Sequence, residues 1–331
     1  MGFGHKEFEI ETGKEITIEE DLARRDITIN AIAKDVLTGE VIDPFGGRND
    51  IENKIIRRTT SHFKEDPLRV YRVARIAAQL EFMVDEETIK EMETLKPELL
   101  SLSKERVFVE FRKALESNKP SIFFEVLRKA NVLEVHFKEI QDLIGALQPK
   151  EYHPEGDAFE HTMKVVDKSV EFTSDLRIRF SCLVHDLGKG VTPKEMYPHH
   201  YGHDAKGVEL VGSLGNRVRV PNLWKAYGKV AAREHMKGGI FWEMSPAKKV
   251  QFIERVAKSK LGLDGLQIVV MADKCSTRDT KLENISFTNL GKECLNAVNG
   301  KTIKEKNPEL IGEKFKEKLH NERVSWMKQE M

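Results

Sequence analysis

EDPLRVYRVARIAAQLEF, residues 65–82, decides the fold class of this chain. Its apolar residues recur at the three- and four-residue spacing of an amphipathic helix, and Asp66 before Pro67 is a good helix start. The core-facing positions of the predicted helix are Val70, Val73, Ala74, Ala77 and Leu80. From Glu65 onward the pattern remains helical, and we expect no sheet after it. The sequence therefore predicts a mostly α protein with a small α/β portion at its amino terminus.

The residues before this helix predict short elements and turns. Thr17 and Glu20 have capping-box spacing at the start of EEDLARRDITINAIAKD (19–35), so a short helix is expected there. AKDVLTGEVIDPFGG (33–47) predicts a strand, a Thr-Gly turn, a second strand and a sharp turn. Residues 2–11 mix glycines with an alternating FEIE run, which predicts a mobile loop that leads into a strand.

Composition excludes several classes of protein. The chain has 331 residues, 40% of them hydrophobic and 33% charged, as expected for two or three folded domains. Its 54 basic and 54 acidic residues balance, so no global field attracts nucleic acid, and the lack of a long apolar run predicts no membrane association. The three cysteines are far apart and lack a CxxC pair, which argues against disulfides and thiolate zinc and favours a reducing cytoplasm.

A loop in the middle of the chain predicts the domain boundary. Pro149 and the following KEYHPEGD separate one helical region from another, which we expect to start near Ala158. The predicted organisation is a partial head over residues 1–60, a helical region over 61–150, and a third domain with a charged helical tail over 151–331.

A cluster of charged and amide side chains surrounds the start of the quoted helix. Guanidinium groups bind phosphates through paired hydrogen bonds, and a glycine turn such as DPFGG (43–47) lets backbone amides approach a ligand. Taken separately, Asp66 could be only a helix cap, and the arginines only a solvated flank. The candidate ligand-binding residues are Arg24, Arg25, Asp26, Asn30, Asp66, Arg69 and Arg72.

The order of these motifs resembles the class II, bacterial-type CCA-adding tRNA nucleotidyltransferases and their poly(A) polymerase relatives. RRDITINAIA (24–33) resembles the motif that selects ribose, DPFGG the turn after it, and EDPLRVYRVARIAAQLEF the helix that reads the incoming base. ERVFVEFRKAL (105–115) resembles the next helical motif of the family. The resemblance covers essentially the whole chain.

This resemblance implies template-independent addition of CCA to the 3′ end of tRNA from CTP and ATP. Arg25, Asp26 and Asn30 would contact the ribose and triphosphate of the nucleotide. Asp66 and Arg69 would pair with cytosine or adenine, so the protein itself would act as the template. The tRNA would lie along the later basic helices, with candidate contacts at Arg106, Arg112 and Lys113.

The resemblance also implies Mg²⁺ ligands that we do not find in this sequence. The family carries two metal-binding carboxylates upstream of the RRD motif, and Glu7, Glu9 and Glu11 match no family position. Three interpretations stay open: a separate small N-terminal polypeptide that completes the head, a truncated copy that cannot transfer nucleotides alone, or chemistry only in the downstream domain. The first is weakly favoured.

A second constellation of chemical groups lies downstream of residue 160. His161, the adjacent His185 and Asp186, and the distant Asp273 form the H…HD…D pattern of HD-type metal-dependent phosphohydrolases. Two imidazoles and two carboxylates suit a divalent transition metal or Mg²⁺ that activates water for attack on phosphorus. Lys189 could neutralise phosphate charge or cap a helix end. The candidate catalytic residues are His185, Asp186 and Lys189.

Further motifs resemble the multifunctional subgroup of these enzymes, which carries a carboxyl-terminal HD domain. They are HPEGDAFEHT (153–162), HHYGHDAKGVEL (199–210) and RVRVPN (217–222). His203 and His235 could be second-sphere groups or added ligands. In that subgroup the HD domain is associated with phosphatase, 2′-nucleotidase and 2′,3′-cyclic phosphodiesterase activities. The alternatives to a two-activity enzyme are a stand-alone phosphohydrolase and a non-catalytic tRNA-binding remnant.

Overall fold

The computed structural model describes residues 16–277 and 281–331 of the chain. The expected loop and strand of residues 2–11 lie outside these described residues, as do Glu7, Glu9 and Glu11. The described part is mostly α, as the sequence predicts. None of its helices combines the length and the apolar character that crossing a membrane requires.

The chain divides into two compact units. The first contains Met1–Ile144 and Leu214–Val220, and the second contains Gly145–Ser213 and Pro221–Met331. The segment Leu214–Val220 is thus assigned to the first unit although it follows much of the second in the sequence.

The helices of the first unit pack around a central helix, α3. Its predicted core face is buried at Val70 and Ala74, both 0% exposed, whereas the predicted core residue Leu80 is 44% exposed. Leu80 is exposed because it is the last residue of α3, and Glu81 then turns the chain away with a φ of 56°. α3 packs against α5 and α6. The helices are α1 (Ile18–Ala23), α2 (Gly47–Glu52), α3 (Arg69–Leu80), α4 (Glu86–Thr94), α5 (Lys104–Leu115), α6 (Ser121–Lys129) and α7 (Leu133–Gln141).

Two short strand pairs accompany these helices. The predicted hairpin forms, with β1 (Ala33–Lys34) antiparallel to β2 (Val41–Ile42). The expectation of no sheet after residue 65 is wrong, since β3 (Ile55–Ile56) pairs in parallel with β4 (Met83–Val84). This pair is only two residues long on each strand and forms between distant segments, so no alternating pattern announces it. The predicted capping box begins α1, because Thr17 and Glu20 satisfy each other's backbone amides.

The helices of the second unit surround α9, whose sequence is almost entirely apolar at its carboxyl end. α9 packs against α8, α11 and α13. Gly228 on α11 allows the close approach, because a Cβ there would lie 2.7 Å from a methyl group of Val184. The helices are α8 (Ala158–Phe172), α9 (Leu176–Val184), α10 (His203–Arg217), α11 (Asn222–Gly239), α12 (Pro246–Ala257), α13 (Gly262–Cys275), α14 (Thr288–Ala297), α15 (Gly300–Lys306) and α16 (Gly312–Gln329).

Candidate functional site

The first unit contains a polar cavity of about 490 Å³ beside the end of α1 and the start of α3. All seven residues that the sequence nominates for nucleotide binding line it. Five arginines face two carboxylates there, so the cavity carries excess positive charge. A phosphate-bearing ligand suits this balance. The lining residues are Arg24, Arg25, Asp26, Asn30, Asp66, Leu68, Arg69, Arg72 and Arg106.

Asp26 organises one side of this cavity. It is 6% exposed, and its Oδ2 accepts hydrogen bonds from Arg72, with Nη2 at 2.6 Å. Its Oδ1 accepts from the amide of Asn30 at 3.0 Å. Burial raises the pKa of Asp26, but the hydrogen bond from Asn30 and the charge of Arg72 outweigh burial and lower the pKa below its ordinary value. Asp26 therefore stays ionised and holds Arg72 and Asn30 in fixed positions.

Asp66 and Arg69, the predicted base-reading pair, are both held by neighbouring groups. Arg69 donates from Nη1 to the backbone carbonyl of His62 at 2.5 Å and from Nη2 to the carbonyl of Arg24. Asp66 accepts from the backbone amide of Leu68 at 3.0 Å through Oδ1. The backbone thus sets the orientation of both side chains before any ligand binds.

The predicted tRNA contacts do not lie together. Arg106, in the first turn of α5, lines the cavity and donates from Nη2 to Oδ2 of Asp66 at 3.0 Å. Arg112 and Lys113 are in the last turn of the same helix and are absent from the cavity lining. Arg112 pairs instead with Glu116 at 2.5 Å. Sequence reasoning missed the pairing of Arg106 with Asp66, because 40 residues separate them.

The second unit brings together the four residues that the sequence nominates as metal ligands. His161 comes from α8, His185 and Asp186 from the end of α9, and Asp273 from the last turn of α13. Oδ2 of Asp186 lies 3.2 Å from Nε2 of His185 and 4.0 Å from Nε2 of His161. Oδ1 of Asp273 lies 3.1 Å from Nε2 of His161. His161, His185 and Asp186 are at most 2% exposed.

These residues fit a divalent metal by their chemistry. Nδ1 of His185 lies 2.7 Å from the carbonyl of Cys182, which can only accept, so Nδ1 carries the hydrogen and Nε2 presents a lone pair. That Nε2 is buried and has no hydrogen-bond partner among the described residues. Buried acceptors normally have donors, and a cation supplies what this one lacks. His161, His185 and Asp186 present ligand atoms within 4.8 Å of one another and could hold such an ion.

His161 is a strong base in this environment. Burial lowers its pKa, but hydrogen bonds to Asp273 and Glu155 outweigh burial and raise the pKa to about 8. Oε1 of Glu155 lies 2.7 Å from Nδ1 of His161 and 3.3 Å from Nδ1 of His153. A carboxylate behind a ligating imidazole raises its basicity and fixes its orientation. Sequence reasoning missed this role of Glu155, although the HPEGD run that contains it was a visible signal.

Lys189 takes neither of the two positions considered from the sequence. Its ammonium group lies 2.5 Å from Oδ2 of Asp186 and 2.6 Å from Oε1 of Gln148, in a buried position. Burial raises the pKa of Asp186, but the charge of Lys189 and the contact with His185 outweigh it and hold the pKa well below its ordinary value. The neighbouring Gly188 is required by space, because a Cβ there would lie 1.9 Å from the carbonyl oxygen of His203.

Three regions of the chain match known protein families. Residues 4–57 match the poly A polymerase head domain, and residues 158–277 match the HD domain. Residues 81–144 match a family described as "Probable RNA and SrmB- binding site of polymerase A".

Two curated relatives are both named multifunctional CCA protein. The one from Nitrosococcus oceani is 43% identical over 257 residues, which are 77% of this chain and 63% of the relative. The one from Psychromonas ingrahamii is 45% identical over 239 residues, or 71% of this chain and 58% of the relative. The chain thus spans about three fifths of the length of these relatives.

Solved structures share the fold at low sequence identity. A CCA-adding enzyme in complex with ATP has a TM-score of 0.62 and 16% identity, covering 94% of this chain and 68% of that one. The Thermotoga maritima CCA-adding enzyme complexed with tRNA has a TM-score of 0.59 and 16% identity, covering 94% of this chain and 70% of that one.

Proposed function

The chain belongs to the family of CCA-adding tRNA nucleotidyltransferases and poly(A) polymerases, in the subgroup with a carboxyl-terminal HD domain, and we propose that it processes tRNA 3′ ends through two sites. One site adds CCA from CTP and ATP with Mg²⁺, and the other hydrolyses phosphoesters with a divalent metal. The observation that carries the proposal is the convergence of seven nominated residues on one arginine-rich cavity. The same proposal assigns residues 1–60 to a partial transferase head, 61–150 to nucleotide templating and tRNA binding, and 151–331 to the hydrolase.

In the transferase site, the chain's own residues bind and orient the nucleotide. Ionised Asp26 holds Arg72 and Asn30, which suits contacts to the ribose and the triphosphate. Asp66 and Arg69 offer an acceptor and a forked donor to the base edge. Arg106 keeps Asp66 in place, so we assign it to nucleotide selection and leave Arg112 and Lys113 as the candidate tRNA contacts.

The lining of this cavity does not fit a Mg²⁺ site. Its two carboxylates, Asp26 and Asp66, are each paired with an arginine, and a paired carboxylate has little charge left for a metal. The Mg²⁺ ligands would therefore come from outside this lining. The comparisons give no support to the separate small polypeptide that the sequence analysis favours, and the proposal does not depend on it.

In the hydrolase site, His161, His185, Asp186 and Asp273 would hold the metal. A metal bound there supplies a water of lowered pKa and polarises the phosphoryl group. The chain's residues prepare the ligands: Glu155 holds His161, and Lys189 holds Asp186. The nucleotide cavity favours this two-site function over a stand-alone phosphohydrolase or a non-catalytic remnant, because neither alternative needs seven converging nucleotide contacts.

Nucleotide binding by the isolated chain tests the transferase half. We expect labelled CTP and ATP to bind in equilibrium dialysis, and Arg69→Ala to weaken binding about tenfold or more, since charge-assisted hydrogen bonds contribute about 1.5–3 kcal/mol each. Arg112→Ala is the matched control, because it removes a guanidinium of the same unit that lies off the cavity lining. Equal affinity of all three proteins would contradict the proposal.

Hydrolysis tests the other half. We expect metal-dependent release of phosphate or ring opening from a 2′,3′-cyclic nucleotide, and loss of this activity in Asp186→Asn with nucleotide binding at the first site unchanged. Activity that persists in Asp186→Asn would place the hydrolytic chemistry elsewhere.

A further inference from the structure

The carboxyl group of Asp186 faces more histidines than the four-residue HD set contains. Its Oδ2 lies near His185 and His161, as described above. Its Oδ1 lies 3.2 Å from Nε2 of His235 and 3.4 Å from Nε2 of His203. The two oxygens of one carboxyl group thus face different pairs of imidazoles. Asp186, His203 and His235 are 2%, 9% and 1% exposed, so water does not screen these contacts.

The hydrogen bonds of the second pair leave acceptor atoms aimed at Oδ1. Nδ1 of His203 lies 2.6 Å from the carbonyl of His200, and Nδ1 of His235 lies 3.0 Å from the carbonyl of Ala231. Carbonyl oxygens only accept, so each Nδ1 carries a hydrogen and each neutral ring presents its Nε2 lone pair. Both Nε2 atoms and Oδ1 of Asp186 are buried without a hydrogen-bond partner in residues 16–277 and 281–331.

The two oxygens also differ in their existing positive partner. Lys189 places its ammonium group on Oδ2 and donates its other recorded hydrogen bond to Gln148. Oδ1 faces imidazoles that already use Nδ1 as their donor. Three acceptors in contact repel one another unless a cation lies among them.

We propose that Asp186 bridges two metal ions, and that Oδ1 of Asp186, His203 and His235 hold the second. The ligand atoms of these three residues lie within 4.8 Å of one another, as do those of His161, His185 and Asp186. Carboxylate-bridged ions in two-metal sites lie about 3.5–4 Å apart. The imidazole-rich second position suits a divalent transition metal better than Mg²⁺ or Ca²⁺, which prefer oxygen ligands. This inference rests on the hydrolase site proposed above.

A proton on Nε2 of His203 or His235 is the competing explanation. An imidazolium would donate to Oδ1 and satisfy the same acceptors without a second ion. The two explanations differ in the number of metal ions that the chain binds, which can be counted without any activity assay.

Metal stoichiometry and magnetic coupling test the proposal on the full chain. The protein is stripped with a chelator, dialysed to equilibrium against excess Mn²⁺, and its bound metal is measured by mass spectrometry. We expect two Mn²⁺ per chain and the electron paramagnetic resonance signal of a spin-coupled pair. His235→Gln should bind one ion and show an uncoupled signal. His199→Ala is the matched control, because His199 is an exposed histidine of the same unit that stacks on Tyr201, and it should bind two.

The outcomes separate this inference from the proposed function. Saturation of the wild-type chain at one uncoupled ion would overturn the second position, even if the protein hydrolyses phosphoesters. Two coupled ions without any phosphoester hydrolysis would support the second position and count against the proposed activity. Since the wild-type signal decides the matter, a His235→Gln protein that fails to fold leaves the test intact.

Discussion

Replacing Glu155 should weaken metal binding at the HD residues although Glu155 is not among the nominated ligands. Its side chain is 2% exposed, and its Oε1 lies 2.7 Å from Nδ1 of His161. Burial raises the pKa of Glu155, but the hydrogen bonds of His153 and His161 outweigh burial and lower it, so the group is ionised. The ionised carboxylate keeps Nδ1 as the donor and leaves Nε2 of His161 available to a metal.

The size of the effect follows from this geometry. Removing a carboxylate that orients a ligating histidine typically costs 10- to 100-fold in metal affinity, or about 1.4–2.7 kcal/mol. Glu155→Ala removes both the charge and the acceptor, so we expect the upper end of this range. Glu155→Gln keeps a neutral acceptor, and neutral hydrogen bonds are about half as strong as charge-assisted ones, so we expect a loss of about tenfold.

Calorimetric titration of the chelator-stripped protein with Ni²⁺ measures these affinities. Glu151→Ala is the matched control, because Glu151 is an exposed glutamate four residues away in the same loop and should bind metal as the wild type does. Far-UV circular dichroism establishes that each variant is folded. Wild-type affinity in a folded Glu155→Ala protein would refute the reasoning, and so would equal losses in the alanine and glutamine variants, which would indicate general disruption of the loop.

Three further predictions concern stability. Burial lowers the pKa of His136 from 6.5 to about 4, so the unfolded chain binds a proton that the folded chain refuses, and urea denaturation should show stability falling by up to about 3 kcal/mol as the pH decreases through this interval, whereas His136→Gln should abolish that slope. Gly188→Ala should cost about 3 kcal/mol, because its Cβ would overlap a backbone carbonyl, whereas Gly212→Ala, which meets only ordinary contacts inside α10, should gain about 0.5–1 kcal/mol; equal melting temperatures would contradict this. Asp26→Asn should cost about 2 kcal/mol by removing the charged partner of Arg72, and an unchanged urea midpoint would show that the pair contributes nothing.

Much of the local structure was predictable because its causes lie within a few residues. The helical spacing of residues 65–82 predicts α3 and the burial of Val70 and Ala74, and the three-residue spacing of Thr17 and Glu20 predicts the cap of α1. The hairpin of β1 and β2 follows from its turn residues. The nucleotide-binding candidates were also nominated from short motifs, and they converge because α1 ends beside the start of α3.

The partners of individual side chains were not predictable in the same way. Asp273 lies 112 residues from His161, and the packing of α8 against α13 decides that they meet. The contacts of Glu155 with His161, of Lys189 with Gln148 and of Arg106 with Asp66 likewise depend on elements that the sequence alone does not place.

The sequence therefore carried the element types, the periodic core and the identity of the chemical groups, because backbone preference and apolar spacing act over one or two helical turns. Packing settled which atoms of those groups face each other. The clearest case is Asp186, whose two oxygens face different imidazoles only because α9, α10 and α11 bring their histidines to it from opposite sides. Tautomer, charge and metal position are properties of that arrangement, since each depends on a neighbour that the local sequence does not specify.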